Sequence, residues 1–221
     1  MNTTTDRPRK ERKANADKRR QQLLDAALRS IASNGLSRTT LATVATEAGL
    51  SQGVAVFYFK SKAGLLAAAL AEHYAAYQRT WERAIKTAGD DPLDQIVSLV
   101  RADFSSRICN PQALAVWFAF WGEQKFTPQY AEVSAEFDTN RAAAVQEVCA
   151  KLMPDAPEAE IAKVAEWIDT ISDGYWQHLH VSPTSITREG AHEATLALVC
   201  RLIPAQADAI RARAGVAQGT S

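Results

Sequence analysis

The sequence predicts an all-α protein, in which a small N-terminal domain of three helices precedes a larger helical domain, with about nine helices in total. Three observations support this fold class. Apolar residues make up 47% of the 221 residues, whereas glycine (10) and proline (8) are scarce. Alanine-rich segments carry apolar residues at helical spacing. Capping residues recur where helices would begin, and no segment has the alternation typical of a strand.

The N-terminal helices are defined by an apolar stripe and by capping residues. The first helix has one apolar face, made of Leu24, Ala27, Leu28 and Ile31. Gly35 suits the cap that ends this helix. Thr40 opens a second helix, Gly49 permits a sharp turn, and Ser51 caps a third helix that ends near Phe57. A long helix is expected from Ser61 to about residue 88.

Proline marks the helix starts in the larger domain. Three prolines follow a capping side chain, in the pairs Asp91-Pro92, Asn110-Pro111 and Thr127-Pro128. The helix from Pro92 is expected to reach about Ile108. Asp155 with Glu158 and then Thr187 open the last two helices. We therefore expect a disordered basic arm over 1–13, a first domain over 14–62, a second over 63–204, and a tail over 205–221.

Charge and cysteine usage limit the classes of function. Residues 1–62 carry a net charge of +7 and residues 63–221 a net charge of −7, so a polyanionic partner is expected for the N-terminal part alone. The alternative is a solvated basic surface. The three cysteines are far apart, so no metal site and no cofactor are expected, and a cytoplasmic location is favoured. No apolar run is long enough to span a membrane.

The segment from Thr40 to Lys62 reads TLATVATEAGLSQGVAVFYFKSK, which is a helix-turn-helix pattern. It resembles the signature of the TetR family of transcriptional regulators over about residues 15–65. The matching residues are Thr40, Ala45, Ala48, Gly49, Ser51, Gly53, Tyr58, Phe59 and Lys62. Two positions depart from the family pattern, Val56 where tyrosine is common and Phe57 where histidine or tryptophan is common. The resemblance implies a DNA-binding head followed by a helical ligand-sensing body.

The second helix of such a motif presents its N-terminal residues to the major groove of DNA. Gln52 is expected to pair with adenine and Val54 to meet a thymine methyl group, while Gly53 allows close approach of the backbone. Three residues are expected to hold phosphates without reading sequence, namely Thr40, Tyr58 and Lys62. Packing within the head is the alternative for Val54 and Tyr58. The basic arm is expected to add nonspecific attraction.

Aromatic residues recur in the second domain. Trp117 and Trp121 are four residues apart, Phe120 borders them, and Asp173 and Trp176 follow in ISDGYW. These residues suit a cage for a quaternary ammonium ion, and the alternative is packed core. Residues 113–180 resemble the C-terminal domain of the betaine-inducible (BetI-type) repressors, for which the resemblance implies choline as the ligand. We therefore expect a small-molecule effector, with a choline-like cation as a candidate.

The last two helices that the sequence predicts carry apolar stripes. The first stripe comprises Ile161, Val164, Ile168 and Ile171, and the second comprises Leu196, Val199 and Leu202 or Ile203. Two such helices from each subunit suit a four-helix homodimer interface, as the resemblance implies. The alternative is that both stripes lie in the core of one subunit.

The residues and the resemblance together predict a ligand-responsive regulator that binds a palindromic operator as a dimer, and the resemblance favours a repressor. A helical interaction protein without specific DNA binding is the main alternative. An enzyme is the other alternative. No metalloprotease, phosphate-loop or nucleophile-elbow motif is present, and His178 and His180 lie on different faces of a helix. We therefore predict that the protein is not an enzyme.

Overall fold

The structure is a computed structural model that describes residues 7–215, with side chains from residue 11 onward. Within this range the chain forms ten α-helices and one 3-10 turn, and no strand. The helices are α1 (Arg7–Arg38), α2 (Leu41–Glu47), α3 (Gln52–Phe59), α4 (Lys62–Ala88), α5 (Pro92–Asp103), α6 (Pro111–Glu123), α7 (Pro128–Leu152), α8 (Glu158–Val181), α9 (Arg188–Leu202) and α10 (Ala207–Ala214). The predicted all-α fold class is confirmed, with one helix beyond the expected nine.

The helices pack into two compact units. The first comprises the described part of Met1–His73 together with Ala115–Val133. The second comprises Tyr74–Leu114 and the described part of Ser134–Ser221. Helix α4 contributes residues to both units, so the boundary predicted after residue 62 precedes a helix that the two units share. The predicted functional domains, 14–62 and 63–204, stay predictions.

The first unit is built on the three N-terminal helices. Leu24, Ile31, Val44, Ala55 and Phe59 are buried in its core, as their helical spacing predicts. The glycine expected to end the first helix interrupts α1 with a φ of 75°. The disordered arm predicted over 1–13 is wrong for residues 7–13, which belong to α1. Apart from Pro8, which is tolerated in the first turn of a helix, they are arginine, lysine and glutamate, which are good helix formers. Residues 1–6 lie outside the described residues.

The prolines mark the helix starts of the second domain as predicted, since α5, α6 and α7 each begin at one. The Asp91 carboxylate accepts a hydrogen bond from the Leu93 amide at 2.9 Å, which caps α5. Helix α5 ends at Asp103 rather than near Ile108. Two serines follow there, and serine favours turns by bonding to nearby backbone.

The C-terminal part is more ordered than a tail. Helix α10 follows the 3-10 turn, and its Ile210 is fully buried. The Arg213 guanidinium lies 2.8 Å from Asp91 and 3.2 Å from Asp94, so α10 is tied to the start of α5. The tail predicted over 205–221 is therefore wrong for the part up to residue 215. Residues 216–221 lie outside the described residues.

The two apolar stripes predicted to form a dimer interface lie largely inside the subunit. Six of their residues are buried in this chain, namely Ile161, Val164, Ile168, Leu196, Val199 and Ile203. They pack α8 and α9 into the second unit, as the core alternative expects. Any interface on these helices must use other residues.

In residues 7–215 no single helix is long and apolar enough to cross a bilayer, and one bent pair, α3 with α4, passes that test by length and composition alone. No group of three histidine, cysteine, aspartate or glutamate side chains in the described chain has the arrangement to hold a metal ion.

Candidate nucleic-acid interface and ligand site

Helix α2 is fixed by a reciprocal cap. The Thr40 hydroxyl accepts a hydrogen bond from the Thr43 amide at 3.1 Å, and the Thr43 hydroxyl accepts one from the Thr40 amide at 2.9 Å. Gly49, with a φ of 66°, turns the chain toward α3. Ser51 stands at the start of α3 without a side-chain cap bond. The predicted helix, turn and helix are therefore present with the expected start residues.

Helix α3 has one buried and one exposed face. Ala55 and Phe59 are buried, which holds α3 against the first unit. Gln52 and Gly53 at its N-terminus are exposed, and Val54 is half-buried. The second turn of the same helix exposes Val56 (40%) and Phe57 (68%). In the sequence Val56 and Phe57 depart from the family pattern, and no contact is predicted for them; a hydrophobic residue at these positions was the signal that an exposed apolar surface lies here.

Within the described part of the chain, no contact requires a glycine at position 53. A Cβ atom built on Gly53 would have the Ser51 Oγ, 3.8 Å away, as its nearest neighbour. Glycine in a helix costs about 1 kcal/mol of stability relative to alanine. An approach by another molecule is therefore the simplest physical reason for this residue.

Tyr58 and Lys62, predicted to hold phosphates, both make hydrogen bonds inside the chain. The Tyr58 hydroxyl donates to the Ala16 carbonyl at 2.9 Å, and the Lys62 ammonium donates to the Ser37 carbonyl at 2.6 Å. These bonds tie α3 to the N-terminal half of α1 and α4 to its C-terminal end. An ammonium has three N–H donors, so Lys62 keeps two for another acceptor. The Tyr58 hydroxyl has a single proton, and its hydrogen bond to the Ala16 carbonyl already uses that proton.

The corner between α3 and α4 is tight. Lys60 has a φ of 65°, an unusual value for a residue with a side chain, and the Ser61 amide donates to the Phe59 carbonyl at 2.7 Å. A Cβ atom built on Gly64 would lie 2.3 Å from that same carbonyl oxygen. Only glycine fits at position 64, so the first turn of α4 is held directly against the end of α3.

Three of the predicted cage residues belong to the first unit. Trp117 and Phe120 are 2% and 0% exposed, and Trp121 is half-buried. The Trp117 ring lies 4.3 Å from His73 and 5.9 Å from Trp121, measured between ring centroids. Phe120 meets Tyr130 edge to face at 5.0 Å. Such burial is what the packed-core alternative expects, and Trp121 is the residue of the three with accessible surface.

The other two predicted cage residues, Asp173 and Trp176, belong to the second unit. Trp176 is 2% exposed, and its indole N–H donates to the Asp103 carbonyl at 3.0 Å. Its ring also meets Tyr77 edge to face at 5.4 Å. Trp176 therefore has a packing role, while Asp173 is exposed. The cage as one site formed by all five residues stays a prediction.

A buried ion pair at the centre of the second unit escaped the sequence analysis. The Asp103 carboxylate is fully buried, and it lies 3.0 Å from the Arg141 guanidinium. It also accepts hydrogen bonds from the hydroxyl groups of Tyr77 at 2.9 Å and Ser172 at 3.1 Å. The Arg141 Nε donates to Asp169 at 3.1 Å. These contacts join α4, α5, α7 and α8.

A signal for this pair is visible in the apolar periodicity. Asp103 stands four residues after Leu99 and three after Val100, both of which are buried. Arg141 stands four residues before the buried Val145. A charged residue on the buried stripe of a helix must have a partner, because an unpaired buried charge is very costly.

Asp173 lies beside further carboxylates, in a group of Asp138, Asp169 and Asp173 that we call the carboxylate cluster. Surrounding protein partly desolvates Asp173 although its side chain keeps accessible surface. This desolvation, reinforced by the charges of Asp169 and Asp103, raises the pKa of the Asp173 carboxyl to about 7. Desolvation also raises the pKa of Asp138. An excess of carboxylates of this kind favours a bound cation.

Comparison with known proteins identifies both parts of the chain. Residues 23–69 match the family model for bacterial regulatory proteins of the tetR family. Residues 92–204 match the model for the C-terminal part of BetI-type transcriptional repressors.

Two curated relatives carry the name HTH-type transcriptional regulator BetI. The protein from Stenotrophomonas maltophilia (strain R551-3) is 33% identical over 158 residues, which cover 72% of this chain and 79% of that protein. The protein from Paraburkholderia xenovorans (strain LB400) is 31% identical over 72% of this chain and 80% of its own length.

Solved structures share the fold. A protein described as a transcriptional regulator from Pseudomonas aeruginosa PAO1 has a TM-score of 0.77 at 23% identity, covering 88% of this chain and 95% of its own. A regulator from Saccharomonospora viridis, solved in complex with choline, has a TM-score of 0.72 at 16% identity, covering 83% and 96%. On the family models and the curated relatives, the chain belongs to the TetR family of DNA-binding transcriptional regulators, with a C-terminal domain of the BetI type.

Proposed function

We propose that this regulator is a cytoplasmic repressor that binds a palindromic operator as a homodimer and leaves it when a small organic cation binds. The observation that carries the proposal is the division of α3 into two faces. Ala55 and Phe59 hold the helix in the head, which leaves Gln52, Gly53 and Phe57 exposed along the face that a major groove would receive.

Roles at the major groove are assigned to four residues of α3. Gln52 pairs with adenine through its amide, and Val54 meets a thymine methyl group. Gly53 lets the DNA approach the backbone of the helix. Phe57, which is 68% exposed, adds a second apolar contact to a thymine methyl group or a sugar.

Phosphate contacts are assigned to Thr40, Tyr58 and Lys62. Lys62 is the strongest of the three, because it can keep its bond to the Ser37 carbonyl and still donate two hydrogen bonds. Tyr58 must release the Ala16 carbonyl before its hydroxyl donates to a phosphate, so its contribution is smaller. These contacts fix the register of the protein on DNA without reading the sequence.

Dimerisation is assigned to the outward face of α8 and the neighbouring surface of α9. Exposed or half-buried residues recur along α8 at alternating spacings of four and three, at Lys163, Trp167, Thr170, Gly174, Gln177 and Val181. This spacing is typical of a seam between packed helices. Trp167 is 44% exposed and Val181 69% exposed, and large exposed apolar residues on one helix face favour a protein partner. A two-fold dimer explains a palindromic operator.

The effector is proposed to be a quaternary ammonium compound, with choline as the first candidate. The carboxylate cluster provides the charge that attracts a cation. Phe137 stacks on Tyr74 with ring centroids 5.4 Å apart, and both residues lie in the same unit as the cluster. Aromatic faces attract quaternary ammonium ions. The Saccharomonospora viridis regulator of the same fold was solved with choline.

Selection of bound sequences from a random duplex pool tests the DNA-binding half. The selected duplex is then titrated with wild type, Gln52→Ala and the matched control Gln129→Ala, which removes an exposed glutamine from α7. We expect a palindromic duplex, a loss of about 1–3 kcal/mol of preference for it in Gln52→Ala, and no change in Gln129→Ala. A pool without enrichment, or equal behaviour of both variants, contradicts the proposal and favours a helical interaction protein.

Release of that duplex by choline tests the effector half. Fluorescence anisotropy follows the labelled operator as choline, or its uncharged carbon isostere, is added. We expect release by choline alone, a much weaker response in Asp173→Asn, and a normal response in Asp155→Asn, an exposed aspartate outside the cluster. Equal release by the uncharged isostere would show that the cation is not what the protein recognises.

A further inference from the structure

A pocket that does not include the carboxylate cluster lies in the second unit beside the C-terminal half of α4. It has a volume of about 430 Å³. Four cationic residues line it, Arg79, Arg83, Lys86 and Arg107, against a single acidic residue, Glu82. The first three come from α4, and Arg107 comes from the segment between α5 and α6. Pockets of this size bind small molecules in many proteins.

The charge of this pocket opposes the charge of the unit that contains it. Residues 74–114 and 134–221 together carry 12 Lys+Arg against 17 Asp+Glu, a net charge of −5. Arg79, Arg83 and Lys86 nonetheless stack on one face of α4, at spacings of four and three. Like charges at these spacings repel and destabilise a helix by about 0.2–0.5 kcal/mol for each pair. A bound anion would relieve this repulsion.

Three of the four cations of the pocket lack the carboxylate partners that other cations of the unit have. Arg83, Lys86 and Arg107 form no ion pair with any residue between 7 and 215. The one acidic residue, Glu82, accepts a hydrogen bond from the Gln78 amide at 2.6 Å. By contrast, Lys151 lies 2.8 Å from the Glu147 carboxylate.

We propose that this pocket binds a small soluble polyanion with two or more linked phosphate or carboxylate groups. Seven residues separate Arg79 from Lys86, which corresponds to about 10 Å along a helix. A single small anion cannot reach charges spread over that length, whereas a chain of two or three linked phosphates can. Guanidinium groups bind phosphate and carboxylate through paired hydrogen bonds, and three of the four cations are arginines.

The site gives the regulator a second input, because its charge selects anions and the carboxylate cluster selects cations. It does not depend on the proposed effector, and the two sites share no residue. The exposed position of all four cations lets a soluble ligand reach them without a change in the fold.

Calorimetric titration with inorganic tripolyphosphate tests this site in the full-length protein at about 0.15 M salt, where the screening length is about 8 Å. The test variant is Arg83→Gln with Arg107→Gln, which removes one cation from each side of the pocket. Lys151→Gln is the matched control. We expect binding to wild type and to the control, and about tenfold weaker binding to the double variant. The basic head attracts tripolyphosphate equally in all three proteins, so the difference isolates the pocket.

Two outcomes overturn the proposal. Equal tripolyphosphate binding by all three proteins means that the basic residues are a solvated surface. A loss of affinity for duplex DNA in the double variant, with tripolyphosphate binding unchanged, means that the pocket is part of a DNA-binding surface. Lys86→Gln offers a single-site check, and circular dichroism of each variant verifies that the helices are retained.

Discussion

Replacement of Arg141 by methionine should strongly destabilise the second unit. The Asp103 carboxylate is 0% exposed and the Arg141 side chain 8% exposed, with 3.0 Å between them. Removal of one partner from a buried ion pair typically costs about 3–5 kcal/mol, because the other charge is left in a medium that solvates it poorly. The hydroxyl groups of Tyr77 and Ser172 still donate to Asp103 in this variant. We therefore expect the free energy of unfolding to fall by about 3 kcal/mol, the lower end of that range.

The companion variant Asp103→Asn tests whether the unpaired charge of Asp103 causes the loss of stability in Arg141→Met. In the double variant the buried group is a neutral amide: its oxygen accepts from one of the Tyr77 and Ser172 hydroxyls, and its NH2 group donates to the hydroxyl oxygen of the other. We therefore expect Arg141→Met with Asp103→Asn to be more stable than Arg141→Met alone by at least about 1.5 kcal/mol. Urea unfolding at one fixed protein concentration, followed by circular dichroism, gives the four free energies of unfolding in the cycle.

The pH dependence offers an independent check. Burial raises the pKa of the Asp103 carboxyl, and Arg141 opposes that rise. Without Arg141 the pKa rises further above its unfolded value, so the folded variant takes up a proton more readily than the unfolded chain. The difference in free energy of unfolding between wild type and Arg141→Met should then become smaller as the pH falls from neutral toward about 4. A difference in free energy of unfolding below about 1 kcal/mol at neutral pH, or a difference that grows on acidification, would refute this reasoning.

Three further predictions concern the head and the carboxylate cluster. Thr40→Ala should lower the free energy of unfolding by about 1 kcal/mol, while Thr40→Ser should leave it unchanged, because serine keeps the cap of α2. Urea unfolding of both variants distinguishes loss of the cap from loss of general packing. Lys60→Gly should stabilise the head by up to about 1 kcal/mol by relieving the positive φ, and an equal gain in Lys60→Ala would contradict this cause. Choline affinity of wild type should increase as the pH rises through about 7, where Asp173 ionises, and calorimetry should find this increase absent in Asp173→Asn.

The helix starts could be predicted from the sequence because they depend on neighbouring residues. Thr40, Pro92, Pro111, Pro128 and Thr187 act through local hydrogen bonds and backbone geometry, and each stands at or next to a helix start in the structure. The C-terminal helix α10 was not predicted: a tail was expected over 205–221, whereas Pro204 opens a 3-10 turn that leads into α10. Contacts with distant helices then keep α10 in place.

The candidate site was predictable where the family pattern and helix geometry agree, as for Gln52 and Gly53 on the exposed face of α3. The partners of the polar residues were not predictable, because they come from distant parts of the chain. Tyr58 bonds to Ala16, 42 residues away, and Asp103 bonds to Arg141, 38 residues away. Periodicity indicates that a residue is buried, but it does not identify the residue that contacts it.

The corner at Lys60 and Gly64 has a consequence for how this regulator can acquire a new operator. The first turn of α4 presses against the Phe59 carbonyl, so the angle of α3 is set by backbone contacts and cannot be adjusted by a longer or bulkier connection. Buried Ala55 fixes the other side of the helix. With the base contacts proposed above, evolution toward a different DNA sequence would be confined to exchange of side chains on the exposed face, above all at Gln52 and Phe57, while the frame that presents them stays constant.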